Sequence, residues 1–191
     1  MDDKELTPAQ RTALKLDTIA CAAAESFIDA YYQTIKTDRS SLAPFYCAPS
    51  IAADGITSPQ ISWNSESYVD GAALQQLMHS LGYMHFKVET LDANVLNPRS
   101  IPASELPGGS GSEDEDLERR MSILIVCAGS IRLGEQLKGP LREFAESFVL
   151  VPNLAKLAIG EGQKRHIDFK AGWDKQWLIQ TQNFTFTEWT V

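Results

Sequence analysis

Apolar positions recur at helical spacing from about Pro8 to Lys36, at Ala13, Leu16, Ala20, Ala24, Phe27, Tyr31 and Ile35. That period predicts one long helix with a single apolar face. Thr7 before Pro8 supplies a cap and a proline at the first helical position. A short second helix is expected next, opened by Asp38 or Ser40 and burying Leu42, Phe45 and Tyr46. Residues 49 to 62 are rich in turn formers, and Trp63 and Tyr68-Val69 mark two short strands. Asp70 caps a third helix that places Leu74, Leu77, Met78 and Leu81 on one face, with Gly82 closing it.

The period then changes to two. Met84, Phe86 and Val88 alternate, and Leu91, Val95 and Leu96 continue in a broken register that suggests a bulge. The run Ile123 to Ile131 is different, because it is apolar at odd and even positions alike. A strand with one face in water alternates, so this one is expected to be covered on both faces. One cover can be the chain's own helices; the other is expected to be a second protein. Glu143 to Val151 and Trp177 to Trp189 supply two further strands. In the last, Thr181, Asn183, Thr185 and Thr187 share one face, and Gln182, Phe184 and Phe186 the other. Helices first and consecutive strands afterwards read as α+β, not α/β.

Two stretches interrupt the pattern. Residues 97 to 118 hold three prolines, three glycines and the acidic run Glu113 to Asp116, the composition of a flexible inserted loop. A second insertion, about 153 to 173, carries Lys156, Lys164, Arg165 and Lys170. The 191 residues therefore read as one domain, 1–191, with two inserted loops. A net charge of −8 argues against a broad nucleic-acid-binding face. It leaves room for a local basic loop, so these four side chains are a candidate RNA or cargo contact. Cys21, Cys47 and Cys127 lack framework or ligand spacing and read as free thiols in a reducing compartment. Met1-Asp2-Asp3-Lys4-Glu5 has no signal-peptide character, and Glu25 and Asp29 interrupt the longest apolar stretch. A soluble intracellular protein with no membrane partner, metal or cofactor is expected.

Three stretches resemble one family. Phe27-Ile28-Asp29-Ala30-Tyr31-Tyr32 with Asp38-Arg39, Leu42 and Tyr46 resembles the start of nuclear transport factor 2, and Trp63, Asp70-Gly71 and Leu74 resemble its strand–glycine–helix segment. Ile123 to Ile131, then Phe144, Phe148 and Leu150, then Trp177 to Ile179 and Phe184 to Trp189, look like the small subunit of the bulk mRNA-export receptor, of the fungal mRNA transport regulator type. The resemblance implies a cone, a curved, mainly antiparallel sheet wrapped around the long N-terminal helix and two shorter ones. It implies a non-catalytic scaffold that completes a large export-receptor subunit as a heterodimer. The pair would engage phenylalanine–glycine repeats of pore proteins and shuttle between nucleus, nuclear pore and cytoplasm, with mRNA or ribosomal subunits as cargo. The partner face would combine Leu124, Val126, Ala128, Ser130 and Arg132 with Thr181, Asn183, Thr185 and Thr187. Thr185 stands where metazoan small subunits tend to carry an arginine that pairs with an acid of the partner. The inserted loops resemble those that enlarge the fungal subunit.

Two other readings compete. One is a homodimeric transport factor carrying a small GTPase. The other is a small-molecule dehydratase or isomerase of the same cone, for which Asp29, Tyr32, His79 and His85 are the available groups. The pattern places no two of them to act on one substrate, and it predicts surface positions for them.

Overall fold

The computed structural model describes residues 6–51, 55–157 and 173–187. Helix α1 spans Pro8–Thr37 and opens on a capping box: the Thr7 hydroxyl accepts from the Gln10 amide at 3.3 Å, and the Gln10 side chain accepts from the Thr7 amide at 2.8 Å. Its buried stripe runs from Leu16 through Phe27 and Tyr31 to Ile35. Ala13 lies one turn before that stripe meets the sheet and is exposed.

The expected second helix is two 3-10 turns, Arg39–Ser41 and Ala43–Phe45. Pro44 has no amide to donate to a continuing helix, so the chain turns out of it. Leu42, Phe45 and Tyr46 are nevertheless buried as expected. A two-residue ladder, β1 (Ser50–Ile51) with β2 (Thr57–Ser58), stands apart from the main sheet. Strands β3 (Gln60–Trp63) and β4 (Glu66–Tyr68) form a hairpin. Helix α2 (Gly71–Ser80) follows, its N-terminus capped by Asp70, whose carboxylate accepts from the Ala73 amide at 2.8 Å.

Gly71 is where α2 meets Tyr46. A Cβ there would lie 2.5 Å from the Tyr46 ring and 2.9 Å from the Ala43 carbonyl, so the contact requires glycine. Gly82 does not close α2; Leu81 ends it in extended geometry. Arg39 takes the terminal carbonyls instead, donating to Met78, Leu81 and Gly82 at 2.5 to 2.8 Å. A guanidinium suits this place, because its planar fork reaches several acceptors and its charge complements the helix C-terminus.

Strands β5 (Tyr83–Asn97), β6 (Ser122–Gly134), β7 (Leu141–Pro152) and β8 (Trp177–Phe186) complete a six-stranded sheet ordered β4-β3-β8-β7-β6-β5. Every pairing is antiparallel except β3 with β8, so the sheet is mixed. The expected bulge in β5 lies between Val88 and Thr90. There β6 crosses so closely that a Cβ on Gly129 would sit 2.0 Å from the Lys87 carbonyl. The inner face of the sheet packs on α1. Phe148 of β7 meets Phe27 and Tyr31 edge-on at 5.0 and 5.2 Å, and Trp63 stacks on Phe184 at 3.8 Å.

Residues 97–118 differ from the expectation of a flexible loop. They fold over Arg120 at the end of a one-turn helix, α3 (Leu117–Arg120). Arg120 is fully buried and donates to the Ile101 carbonyl at 2.7 Å, the Glu113 carbonyl at 3.1 Å and the Glu113 carboxylate at 2.6 Å. Arg119, also buried, donates to the Pro107 carbonyl, while Ala103 and Leu106 add an apolar footing. One guanidinium thus satisfies backbone carbonyls that a proline- and glycine-rich chain cannot pair with itself. Composition suggested a solvated tether; Glu113, Asp114 and Glu115 are indeed exposed, but Glu113 also pairs with Arg120 and Asp116 with Arg119.

Arg120→Ala leaves those carbonyls without a donor in a closed space. We expect it to cost about 2–4 kcal/mol, with a fall in melting temperature of roughly 5–15 °C. Thermal unfolding by circular dichroism reads this directly, and a melting point within a degree of the parent would show that Arg120 does not hold the loop.

Candidate functional site

Alternation along β6 sorts its side chains in two. Ile123, Ile125, Cys127 and Ile131 are buried against the helices, while Leu124, Val126, Ala128, Ser130 and Arg132 project from the other side. The pleat carries the same division into β7 and β8. Register places Leu124 opposite Val149, Val126 opposite Ser147 and Ala128 opposite Ala145. Across the next pair, Val149 faces Thr181, Ser147 faces Asn183 and Ala145 faces Thr185. The Thr187 amide continues the ladder to the Glu143 carbonyl at 3.1 Å.

The two groups of predicted interface residues therefore lie on one surface, joined by Ala145, Ser147 and Val149, which sequence reasoning left out. The signal for these three was present: they are the positions of β7 that alternate with Phe144, Phe148 and Leu150. The middle of this surface, at Val126, Ala128, Ala145, Ser147 and Val149, is built from short side chains. Val126, near its centre, is 44% exposed. Asp92 of β5 stands opposite Val126 and Thr90 opposite Ala128, while Lys87 of β5 and Glu143 of β7 flank Ser130, so charged side chains rim a centre of short uncharged ones. Arg132, at one end, donates to the Gly139 carbonyl at 2.9 Å and so helps hold the β6–β7 turn. Sheets facing water on one side carry polar side chains there; this outer face mixes valine, leucine and alanine with hydroxyls and one amide.

Of the basic loop, Lys156 is described: it lies in the short helix α4 (Leu154–Leu157), and its ammonium is 3.0 Å from the Asp174 carboxylate. Lys164, Arg165 and Lys170 lie outside the described residues. Among the four residues considered for catalysis, Asp29 and His79 are exposed on helices, and His85 sits on the outer face opposite Arg132. Tyr32 corrects the expectation of a surface position, for it is buried and does not stand alone.

Its hydroxyl donates to Glu146 Oε2 at 2.5 Å, and Cys127 Sγ lies 3.4 Å from that Tyr32 hydroxyl. Gln182 donates to the other Glu146 oxygen at 2.5 Å and to the Tyr31 hydroxyl at 2.8 Å, while Tyr46 donates to Gln182 at 2.5 Å. The six side chains come from α1, the segment after it, β6, β7 and β8, and none is more than 8% exposed. Burial pushes the Glu146 carboxyl up to about 8, against the opposing hydrogen bonds from Tyr32 and Gln182. Burial also lifts the Cys127 thiol to about 12 and holds the three tyrosines well above their ordinary range. These are residue types used for acid–base chemistry, but here they bond one another inside the core and tie the sheet to α1. Glu146 was legible as an acid at an inward position between Phe144 and Phe148.

No family model matches the sequence, and no curated protein matches it. Solved structures do match the fold. A chain in the structure of the Chaetomium thermophilum Mex67 NTF2-like domain complexed with Mtr2 superposes with a TM-score of 0.66 at 19% identity, covering 88% of this chain and 98% of that one. The structure of Mtr2 gives a TM-score of 0.64 at 16% identity over 88% of this chain and 99% of that one. A Novosphingobium aromaticivorans protein named for scytalone dehydratase gives 0.55 at 8% identity, over 92% of this chain and 89% of that one. The architecture is the nuclear transport factor 2-like fold, found in transport proteins and in a protein named for an enzyme alike.

The buried carboxyl makes stability depend on pH. Glu146 is protonated more tightly in the folded chain than in the unfolded one, so its contribution is complete below about pH 4.5 and is lost as pH rises toward 8. We expect the parent to lose stability on the order of a few kcal/mol between pH 5 and pH 8 relative to Glu146→Gln, which has no proton to lose. Denaturant titrations of both proteins across that window measure the difference. Parallel curves would mean that Glu146 is ionised in the native core.

Proposed function

We propose that this protein is the small, non-catalytic subunit of a heterodimeric nuclear export receptor for mRNA. The observation that carries the reading is the outer face of β6, β7 and β8, whose centre is built from short uncharged side chains, Val126, Ala128, Ala145, Ser147, Val149 and Asn183, on the side of the sheet away from α1. A second sheet laid on that face would cover Val126, Leu124 and Val149 as a sandwich covers its inner faces. The sequence resemblance to the small export subunit, and the fold shared with Mtr2 and the Mex67–Mtr2 complex, support the large export-receptor subunit as that second sheet.

The mechanism is structural. The small subunit supplies one half of a two-domain body, and the pair carries the affinity for phenylalanine–glycine repeats, mainly on the large subunit. Cargo contacts belong to the periphery: Lys156, Lys164, Arg165 and Lys170 are placed by the sequence in the second insertion, where a few cations can meet RNA or ribosomal phosphates without making the chain basic. Shuttling through the pore between nucleus and cytoplasm follows from that role. The sealed Tyr32–Glu146–Gln182 cluster favours this reading over a dehydratase or isomerase, because its polar groups bond one another.

Neighbouring substitutions on β6 separate the two faces. Val126→Asp puts a charge at the centre of the outer face, beside Asp92; pairing with the large subunit's nuclear transport factor 2-like domain should weaken at least a hundredfold, with the free chain still folded. Ile125→Asp puts the charge in the core, where it costs several kcal/mol and should unfold the chain. Co-purification and circular dichroism report the two effects. Retention of full affinity by folded Val126→Asp would remove this face as the interface.

A further inference from the structure

The outer face does not end cleanly at β8. A cavity of about 830 Å³ opens beside Thr181 and Asn183, between the β1–β2 ladder and strands β3 and β4. Ile51, Pro59, Tyr68 and Val69 give it apolar walls, and Ser62 and Thr181 add hydroxyls. Ser62 pairs with Asn183 and Gln60 with Thr181, so the cavity continues the rows of the outer face across the parallel β3–β8 junction. Ile51 is 73% exposed and Val69 81% exposed, a strong concentration of apolar surface for a sheet edge.

Two features decide what fits. None of the described residues lining the cavity carries a charge, although the chain as a whole carries −8. A phosphate or a carboxylate entering it would lose water and meet no cation, while an apolar group would lose only unfavourable hydration. The second feature is area. Three strands spaced about 4.8 Å apart, over the nine or so residues they share at about 3.3 Å each, make a face of roughly 430 Å². A stable complex covers roughly 800 Å² on each partner. The face alone falls short, and the cavity adjoins the side on which it would be extended.

We propose that the large subunit's contact continues past β8 into this cavity, where an uncharged segment of that subunit seats one bulky apolar side chain between Val69, Tyr68 and Ile51. Sidewall hydroxyls at Ser62 and Thr181 are placed to bond the backbone of that segment. The proposal rests on the heterodimer reading above and adds to it a second, edge-on anchor. An anchored side chain in a desolvated pocket contributes more per unit area than flat contact does, which would give this interface a focus its short-chained face lacks.

The test uses the heterodimer with the large subunit's nuclear transport factor 2-like domain and compares three variants with the parent. Val69→Asp charges the neutral cavity at an exposed site, and Ser62→Trp fills it. Val126→Asp disables the outer face of β6, β7 and β8. Affinity by titration calorimetry should fall about ten- to a hundredfold for Val69→Asp and Ser62→Trp, with the melting temperature of the free Val69→Asp chain unchanged. If Ser62→Trp does not fold, Val69→Asp decides alone. Parent-like affinity in Val69→Asp, with Val126→Asp unable to bind, would overturn the cavity proposal and leave the heterodimer reading standing. Parent-like affinity in Val126→Asp would overturn both.

Discussion

The two-residue pleat of β6, β7 and β8 is the constraint on which this structure depends. It sends Ile125, Phe148 and Phe184 toward α1 and Val126, Val149 and Asn183 away from it. A slip of one residue in any of these strands would exchange the two sets and place valine and asparagine in the core. Several contacts fix the register at once. Phe148 is wedged against Phe27 and Tyr31, Glu146 is tied to Tyr32 and Gln182, and Gly129 passes too close to the Lys87 carbonyl to allow any other residue. Both faces follow from that one register, so the core and the candidate interface share an origin.

The buried polar cluster gives the register a directional component that packing alone lacks. Apolar side chains tolerate small shifts, whereas a carboxyl that accepts from a phenol on one strand's partner helix and an amide on the next strand does not. Keeping Glu146 protonated lowers the cost of burying it. The same cluster fills the space between α1 and the sheet with polar groups that bond one another.

Much of this was legible in the sequence because periodicity and burial are coupled. The long helix, its Thr7–Pro8 start, the Asp70 cap, the bulge in β5 and the inward phenylalanines of β8 all follow from spacing and local chemistry. The apolar odd and even positions of β6 correspond to its inward isoleucines and its outward Leu124 and Val126. What escaped was long-range. Arg120 organises residues 101 to 115 through backbone carbonyls, and nothing in the composition of a loop shows that an arginine after it will be buried within it. Arg39 closes α2 across 39 to 43 positions in sequence, in the role assigned to Gly82. Tyr32, Glu146 and Gln182 are separated by more than 100 residues at the widest, and only the folded sheet makes them one cluster.

If a second protein covers the outer face, the mass of the particle in solution reports it. Light scattering on the chain purified alone, and on the chain co-expressed with the large export-receptor subunit's nuclear transport factor 2-like domain, compares the two states. The lone chain should aggregate, and co-expression should give a single one-to-one heterodimer. A lone chain that stays monodisperse and monomeric, and remains so beside the large subunit, would contradict this.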